Sequence, residues 1–461
     1  MKKIISTFII LCVLSSSCEK KLDEYAINPN DPETVNLSLL LGGAEVATFA
    51  NYTGDLARVT NLFTQHIAGV DAQYQEEIAR YDLNDQTFVN HWRNMYNGTM
   101  VNIDRLIKDS GTENPHYSGI GKVLMAMNLG LTTDLWGDVP YSDAFKGLEG
   151  NITPNYDTQE SIITSIQQLL DAAITDFDQP VTANTFIPAT DDIIFNGDVA
   201  RWKTAAYILK ARYSNRLSQI DPTGSATQAL QALSSAGLAN DPDADMMALF
   251  FGTGTSLNQW SAFMSERGYI RMGKYFVDKM IASNDPRLPF FAASDEAGGY
   301  SGAGVSDQSN VETSPPGPGV ASNDSALPLV TYPEAKFIEA EANLRLGNAS
   351  AAATAFNEAV TASVSRVTGA AAPAAFTAAV ASETAGTITL EKIISQKHVA
   401  LFTQIEPYND FRRTGLPALT PNPNGVTPQI PLRLPSSAEE RLYNPNATVV
   451  TDIYTPVWWD K

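Results

Sequence analysis

The stretch from Tyr332 to Val360, YPEAKFIEAEANLRLGNASAAATAFNEAV, constrains the fold more than any other part of the chain. Ala335, Ile338, Ala342 and Leu346 recur at three- and four-residue spacing, the period of an amphipathic helix. Gly347 and Asn348 break that helix, and a second rises through Ala352, Phe356, Ala359 and Val360. Small residues let two helices approach closely, and a Phe fills the gap beside them. The order Ala340, Gly347, Ala352, Phe356, Ala359 is that of a repeating helix pair, or of a single Ala-rich helical hairpin.

The N-terminus points to a compartment. Lys2 and Lys3 precede an apolar run from Ile4 to Leu14, and Ser15-Ser16-Ser17-Cys18 follows. A basic start, a short apolar core and small residues before a cleavage point make a secretory signal, too short to be a permanent span. Residues 1–17 are therefore expected to be removed, leaving Cys18 as a lipidated first residue. Leu14 lies four positions before Cys18, one more than the usual lipoprotein pattern, and ordinary secretion is the alternative. Residues 18–36 are polar and turn-prone and are expected to tether a body over 37–461.

Composition narrows the function. Hydrophobic residues at 44% and charged residues at 18% suit a globular protein. A net charge of −20 excludes nucleic acid as a partner, because phosphate binding needs a basic surface. Four histidines and two cysteines, none at zinc or CxxC spacing, call for no metal and no cofactor. There is no G-x-S-x-G elbow, P-loop or H-E-x-x-H motif. A glycosidase needs two carboxylates about 5–10 Å apart, and 51 acids make chance pairs uninformative. The expectation is a non-catalytic binding protein.

The rest of the chain is mostly helical by period. Helices are expected within 37–68, from Thr87 to Gly111, from Pro115 to Trp136, from Thr158 to Phe177, after Asp198 and from Thr389 to Gln404. Lys203, Lys210, Arg212 and Arg216 are expected on a solvated helix face. Asp410, Arg412, Arg413 and Glu406 are expected to form buried ion pairs between helices. Asp241-Pro-Asp-Ala-Asp245 fails the calcium-loop pattern at Met246 and Gly252 and is expected to be an acidic turn. Residues 240–330 form a loop-rich insertion, and a local hairpin or two is the only strand expected.

Several separated segments, in order, resemble the SusD/RagB family of nutrient-binding outer-membrane lipoproteins. They are the start at Cys18, DLWGDVPYSDA at 134–144, ILKARYSNRL at 208–217, NDPRLP at 284–289, YPEAKFIEAEANLRLG at 332–347, and KHVALF with YNDFRRTGLP at 397–417. The resemblance implies a mainly α, SusD-like fold, with about four tetratricopeptide-like helix pairs supporting an irregular ligand lobe. It implies a surface-facing, lipid-anchored protein of the outer membrane. Its partner would be a SusC-type TonB-dependent transporter, to which it delivers an oligosaccharide. RagB-type members bind peptides, which is the alternative ligand; a purely protein-binding helical scaffold is the alternative class.

An oligosaccharide site needs flat aromatic faces with amide and guanidinium donors around them. Asn258, Gln259, Trp260, Arg267, Tyr269 and Arg271 supply these groups just before NDPRLP, and Gln65, His66, Gln73 and Tyr74 supply a second set. Trp260 and Phe263 at helical spacing are equally readable as core residues.

Overall fold

The computed structural model describes residues 35–238, 240, 245–307 and 309–461. The expected signal at 1–17, Cys18, nearly all of the tether at 18–36 and most of the acidic stretch 241–245 lie outside them. Among the described residues, no helix is long and apolar enough to cross a membrane.

The first half is a succession of helices. Helix α1 (Leu37–Thr53) opens where the Asn36 side chain accepts a hydrogen bond from the Leu39 amide, and α2 (Asp55–Phe63) follows after a break at Gly54. The helical period over 37–68 stops short of its expected end, because Ile67–Gly69 is strand β1. Helix α3 (Val89–Arg93) continues through a π-helical stretch, Asn94–Met100, into α4 (Val101–Ser110). Helix α5 (Pro115–Trp136) is buried at every residue except Lys122. Its period is obscured because neighbours cover it on all sides: α1, α4 and α6 (Gln159–Phe177) pack against it. A Cβ on Gly119 would lie 2.6 Å from the Phe177 ring, so a larger residue would force that ring aside between α5 and α6. Thr158 and Asp198 cap α6 and α7 (Val199–Arg216) through their side chains, as their sequence positions predict. Helix α8 (Pro222–Ser235) packs on α7, extending the array by one more layer.

The middle of the chain is irregular. It holds β2 (Met246–Ala248), α9 (Gln259–Glu266), β3 (Ile270–Met272), α10 (Lys274–Ala282), α11 (Leu288–Phe291), α12 (Pro318–Ala321) and β4 (Leu327–Val330). The strands do not form the local hairpins expected from sequence. Strand β1 pairs antiparallel with β3, Ala68 opposite Arg271, and β2 pairs antiparallel with β4, Ala248 opposite Leu327. Such short strands gain little from local pairing, so burial against the helices decides which segments meet.

Helices α13 (Tyr332–Arg345) and α14 (Ala349–Thr368) fold back on one another as the opening stretch predicts. Ala340, Ala352, Phe356 and Ala359 are buried there, and the Phe337 and Phe356 rings meet at 6.1 Å. With α15 (Ala374–Val380) and α16 (Leu390–Ala400) they enclose a second hydrophobic core beside the main one. Helix α13 also packs on α8, so the array continues across the irregular segment.

Helix α17 (Glu406–Thr414) carries the ion pairs expected of Asp410 to Arg413. Arg413 pairs with Glu341 of α13 and with Asp410 at 2.7 Å, and Lys397 of α16 reaches Asp410 at 2.9 Å. The expectation for α7 divides. Lys203 and Lys210 do face solvent and pair with Asp178 and Asp171. Arg212 and Arg216 do not: they are fully buried. Arg212 pairs with Glu334 at 2.6 Å, and Arg216 with Asp134 at 3.0 Å and Glu406 at 2.8 Å. The end of α7 is enclosed by α5, α13 and α17, so its cations meet carboxylates instead of water. Burial pushes the Asp134 carboxyl up, with Arg216 opposing. Burial also raises Glu406, but Arg216 and Arg212 outweigh it and leave its carboxyl below the usual range. A short helix α18 (Ala438–Tyr443) lies near the end of the chain.

Candidate functional site

The β1–β3 pairing brings together two sequence-distant candidate groups, Gln73 with Tyr74 and Tyr269 with Arg271. The Val70 amide donates to the Tyr269 carbonyl at 2.9 Å, and the chain then turns into a π-helical stretch, Tyr74–Ile78. Helix α9 closes the site from a third side. Its approach depends on Gly54, where a Cβ would lie 2.3 Å from Gln259 Oε1 and 2.5 Å from the Ala50 carbonyl. The break between α1 and α2 is therefore the seat of α9.

At the centre lies a compact polar cluster. The Tyr74 hydroxyl donates to Asp55 at 2.5 Å, and Arg58 donates to the Tyr74 oxygen at 3.2 Å and the Gln259 carbonyl at 3.3 Å. His91 Nε2 lies 3.1 Å from the other Asp55 oxygen. Burial alone pushes the Asp55 carboxyl up, but His91 and Arg58 outweigh it and hold it well below the usual carboxylate range. Burial, then the Asp55 charge, pushes the Tyr74 hydroxyl well up, so it stays a donor. The Arg58 guanidinium lies 4.3 Å over the Phe263 ring, which meets the Tyr74 ring at 5.1 Å and the Tyr269 ring at 6.0 Å.

The expected site residues separate by exposure. Gln73 is exposed, and Gln259, Tyr269 and Arg271 are half-buried. Arg271 spends Nε on the Val311 carbonyl at 2.8 Å and Nη1 on the Gly268 and Ile270 carbonyls; its Nη2 makes no hydrogen bond among the described residues. Trp260, expected as a stacking platform, is instead a core residue: it is fully buried, and its Nε1 donates to the Thr53 carbonyl at 3.0 Å. Asn258 is likewise withdrawn, because its side chain caps α9 and donates to the Ser325 carbonyl at 2.6 Å. Tyr74 lies beneath the face, 3% exposed, as a positioning residue for Asp55 and Arg58. Helical spacing of Trp260 and Phe263 carried the core reading, and the N-cap preference of Asn carried the other.

Asp55, Arg58 and His91 have no motif or spacing that would mark them in sequence; only the fold gathers them. Among the described residues, no group of three or more His, Cys, Asp or Glu could hold a metal ion. Half-exposed rings and amides thus lie beside a buried ion cluster on a braced helical array.

A family model described as "starch-binding associating with outer membrane" matches residues 29–435, and the chain belongs to this SusD-like family. No curated protein matches the chain. Solved structures do. A chitin-binding protein is 23% identical, with 92% of this chain and 100% of that one covered and a TM-score of 0.77. A SusD/RagB family protein from Bacteroides thetaiotaomicron is 22% identical over 93% and 99%, with a TM-score of 0.77. A chitin-binding SusD homologue from Flavobacterium johnsoniae is 20% identical over 92% and 99%, with a TM-score of 0.78. At these identities the likeness bears on the fold, and the mainly α, SusD-like architecture is the one expected from sequence. The family is one of binding proteins, and this chain is a non-catalytic member of it.

Proposed function

We propose that the chain captures a neutral oligosaccharide on the face formed by Gln73, Gln259, Phe263, Tyr269 and Arg271 and delivers it to a TonB-dependent transporter of the SusC class. A lipid on Cys18 holds it at the cell surface. The observation that supports the reading is the β1–β3 pairing, which brings the Tyr269–Arg271 segment beside the Gln73–Tyr74 segment, with the half-buried Phe263 ring 6.0 Å from that of Tyr269. Rings accept the C–H face of a sugar and the polar groups its hydroxyls, whereas a net charge of −20 disfavours an anionic ligand. Two structures of the same fold are described as chitin-binding, and the family as starch-binding, which favours a glycan over a peptide.

Isothermal titration with chito- and malto-oligosaccharides tests this. Binding that weakens by about tenfold in Tyr269→Ala, the loss of one stacking face, is expected. Heat with peptides and none with glycans would overturn the ligand class, and glycan binding untouched by Tyr269→Ala would overturn the site. Copurification with the transporter tests the partner, and mass spectrometry of the N-terminal peptide tests acylation of Cys18.

A further inference from the structure

On the other side of α3 lies a cleft of about 460 Å³ that none of the candidate residues line. Adjacent residues of that short helix serve the two places: His91 meets Asp55, and Trp92 lines the cleft. From the geometry of this cleft we infer a second saccharide subsite, taking a neutral pyranose, separate from the face at β1–β3.

The cleft is built from rings held in fixed positions. Trp92 meets Tyr96 at 4.9 Å, and Tyr96 meets Phe145 at 6.2 Å with the planes 31° apart. Trp92 is braced from behind by Trp136 at 5.5 Å and by Tyr156, stacked at 6.3 Å. Glu440 secures the set, accepting from Trp92 Nε1 at 3.1 Å, the Tyr156 hydroxyl at 2.9 Å and Asn444 Nδ2 at 3.0 Å. The Tyr96 hydroxyl is tied to the Pro140 carbonyl at 2.9 Å. Tyr96 and Phe145 are the half-buried rings that line the cleft, so their faces are the ones on offer.

Phe145 supplies an independent sign. Its φ is +59°, a left-handed conformation that an aromatic residue rarely adopts and that costs about 1 kcal/mol or more. A glycine would hold the same turn without that cost, so the ring is kept in the cleft against the local preference of the backbone.

The polar rim selects the ligand. Asn97 is exposed, and its side chain makes no hydrogen bond among the described residues. Arg93 and Glu439 neutralise each other at the edge, and Glu440 has its donors already. An acidic ligand would meet the Glu440 charge, which has neutral donors and no paired cation among the described residues, whereas a neutral ring with equatorial hydroxyls finds an amide and aromatic faces. Leu148 and Ile152, 107% and 81% exposed, flank the opening and would cover the C–H edge of a bound sugar.

The test is fluorine NMR of the full chain carrying 5-fluorotryptophan. Six tryptophans give six signals, and Trp92→Phe assigns the one in the cleft. The probes are the methyl glycosides of glucose, N-acetylglucosamine, galactose and mannose, at millimolar concentration, and a tripeptide, Gly-Leu-Phe. At least one glycoside is expected to move the Trp92 signal saturably while leaving that of buried Trp202 in place. The response is expected to survive Tyr269→Ala, which separates it from the β1–β3 face. Phe145→Gly should keep the thermal midpoint or raise it, yet weaken the response by about tenfold. Asn97→Ala, an exposed change, serves as the second variant and should also weaken it. No movement with any glycoside, movement only with the peptide, or a response untouched by both variants would overturn the subsite.

Discussion

Acidification should destabilise this protein through two histidines enclosed in its core. His66 and His398 are fully buried, and their rings stack at 3.7 Å with planes 16° apart. His66 Nε2 donates to the His398 carbonyl at 2.8 Å, and Nδ1 meets the Thr64 hydroxyl at 2.9 Å. His398 Nε2 reaches the Thr64 carbonyl at 2.9 Å, while its Nδ1 has no partner to accept a proton's hydrogen bond. Burial pushes His66 down to about 3 and His398 well below its ordinary value, and the nearby Lys279 ammonium opposes charge on both. The folded state thus keeps both rings neutral, while the unfolded chain protonates them near pH 6.5. Between about pH 6.5 and 3 the unfolded state binds more protons, so stability falls as pH falls through that window. One such histidine removes about 1.3 kcal/mol between pH 7 and 5.5, and the pair about twice that.

The measurement is urea unfolding from about pH 7.5 to 5.5 in the wild type and His66→Gln, whose amide can still donate to the His398 carbonyl. Carboxyls titrate over the same range and confound absolute slopes. Asp460, raised to about 7 by burial against the opposing Arg412, stabilises as pH falls, the reverse of the histidines. The difference between the two proteins cancels these terms. Wild type should lose about 1.4 kcal/mol relative to His66→Gln for each pH unit below the unfolded pKa. A difference that stays flat with pH would refute the burial argument for His66.

Three further outcomes follow from packing. Trp260→Ala should cost about 3–5 kcal/mol of unfolding free energy in urea, with glycan affinity of the folded fraction little changed; unchanged stability with lost binding would return Trp260 to the binding face. Arg413→Ala strands Glu341 without its main cation, leaves Asp410 to Lys397 alone and should cost about 3–5 kcal/mol, seen as a lowered thermal midpoint. Gly54→Ala should cost about 1–3 kcal/mol and weaken glycan binding, because the added carbon displaces Gln259 from the break between α1 and α2; calorimetry and titration on one sample check both.

Helix ends were legible because capping is local chemistry. Thr158, Asp198, Gly111 and the Gly347 joint each act on backbone groups within a few residues, and each lies where the helices begin or end. The ion pairs of α17 were legible from opposite charges crowded into one short helix. Arg212 and Arg216 were not, since one amphipathic pattern serves a helix facing water and a helix enclosed by acids. The site was half legible. Residue types suited to a sugar pointed to 258–271 and 73–74, but which of them stay exposed depends on where α9 seats.

The sequence by itself therefore determined the helical array, the packing of small residues in α13 and α14, and the segments that hold the candidate recognition residues. Those features follow from periodicity and from chemistry between near neighbours in the chain. Only the tertiary structure decided that β1 joins β3 across about two hundred residues, that Trp260 is core, and that Asp55, Arg58 and His91 meet beneath one face. It alone decided that Trp92, Tyr96 and Phe145 enclose a second cleft. The physical reason is burial: a side chain's role depends on what covers it, and that cover comes from distant parts of the chain.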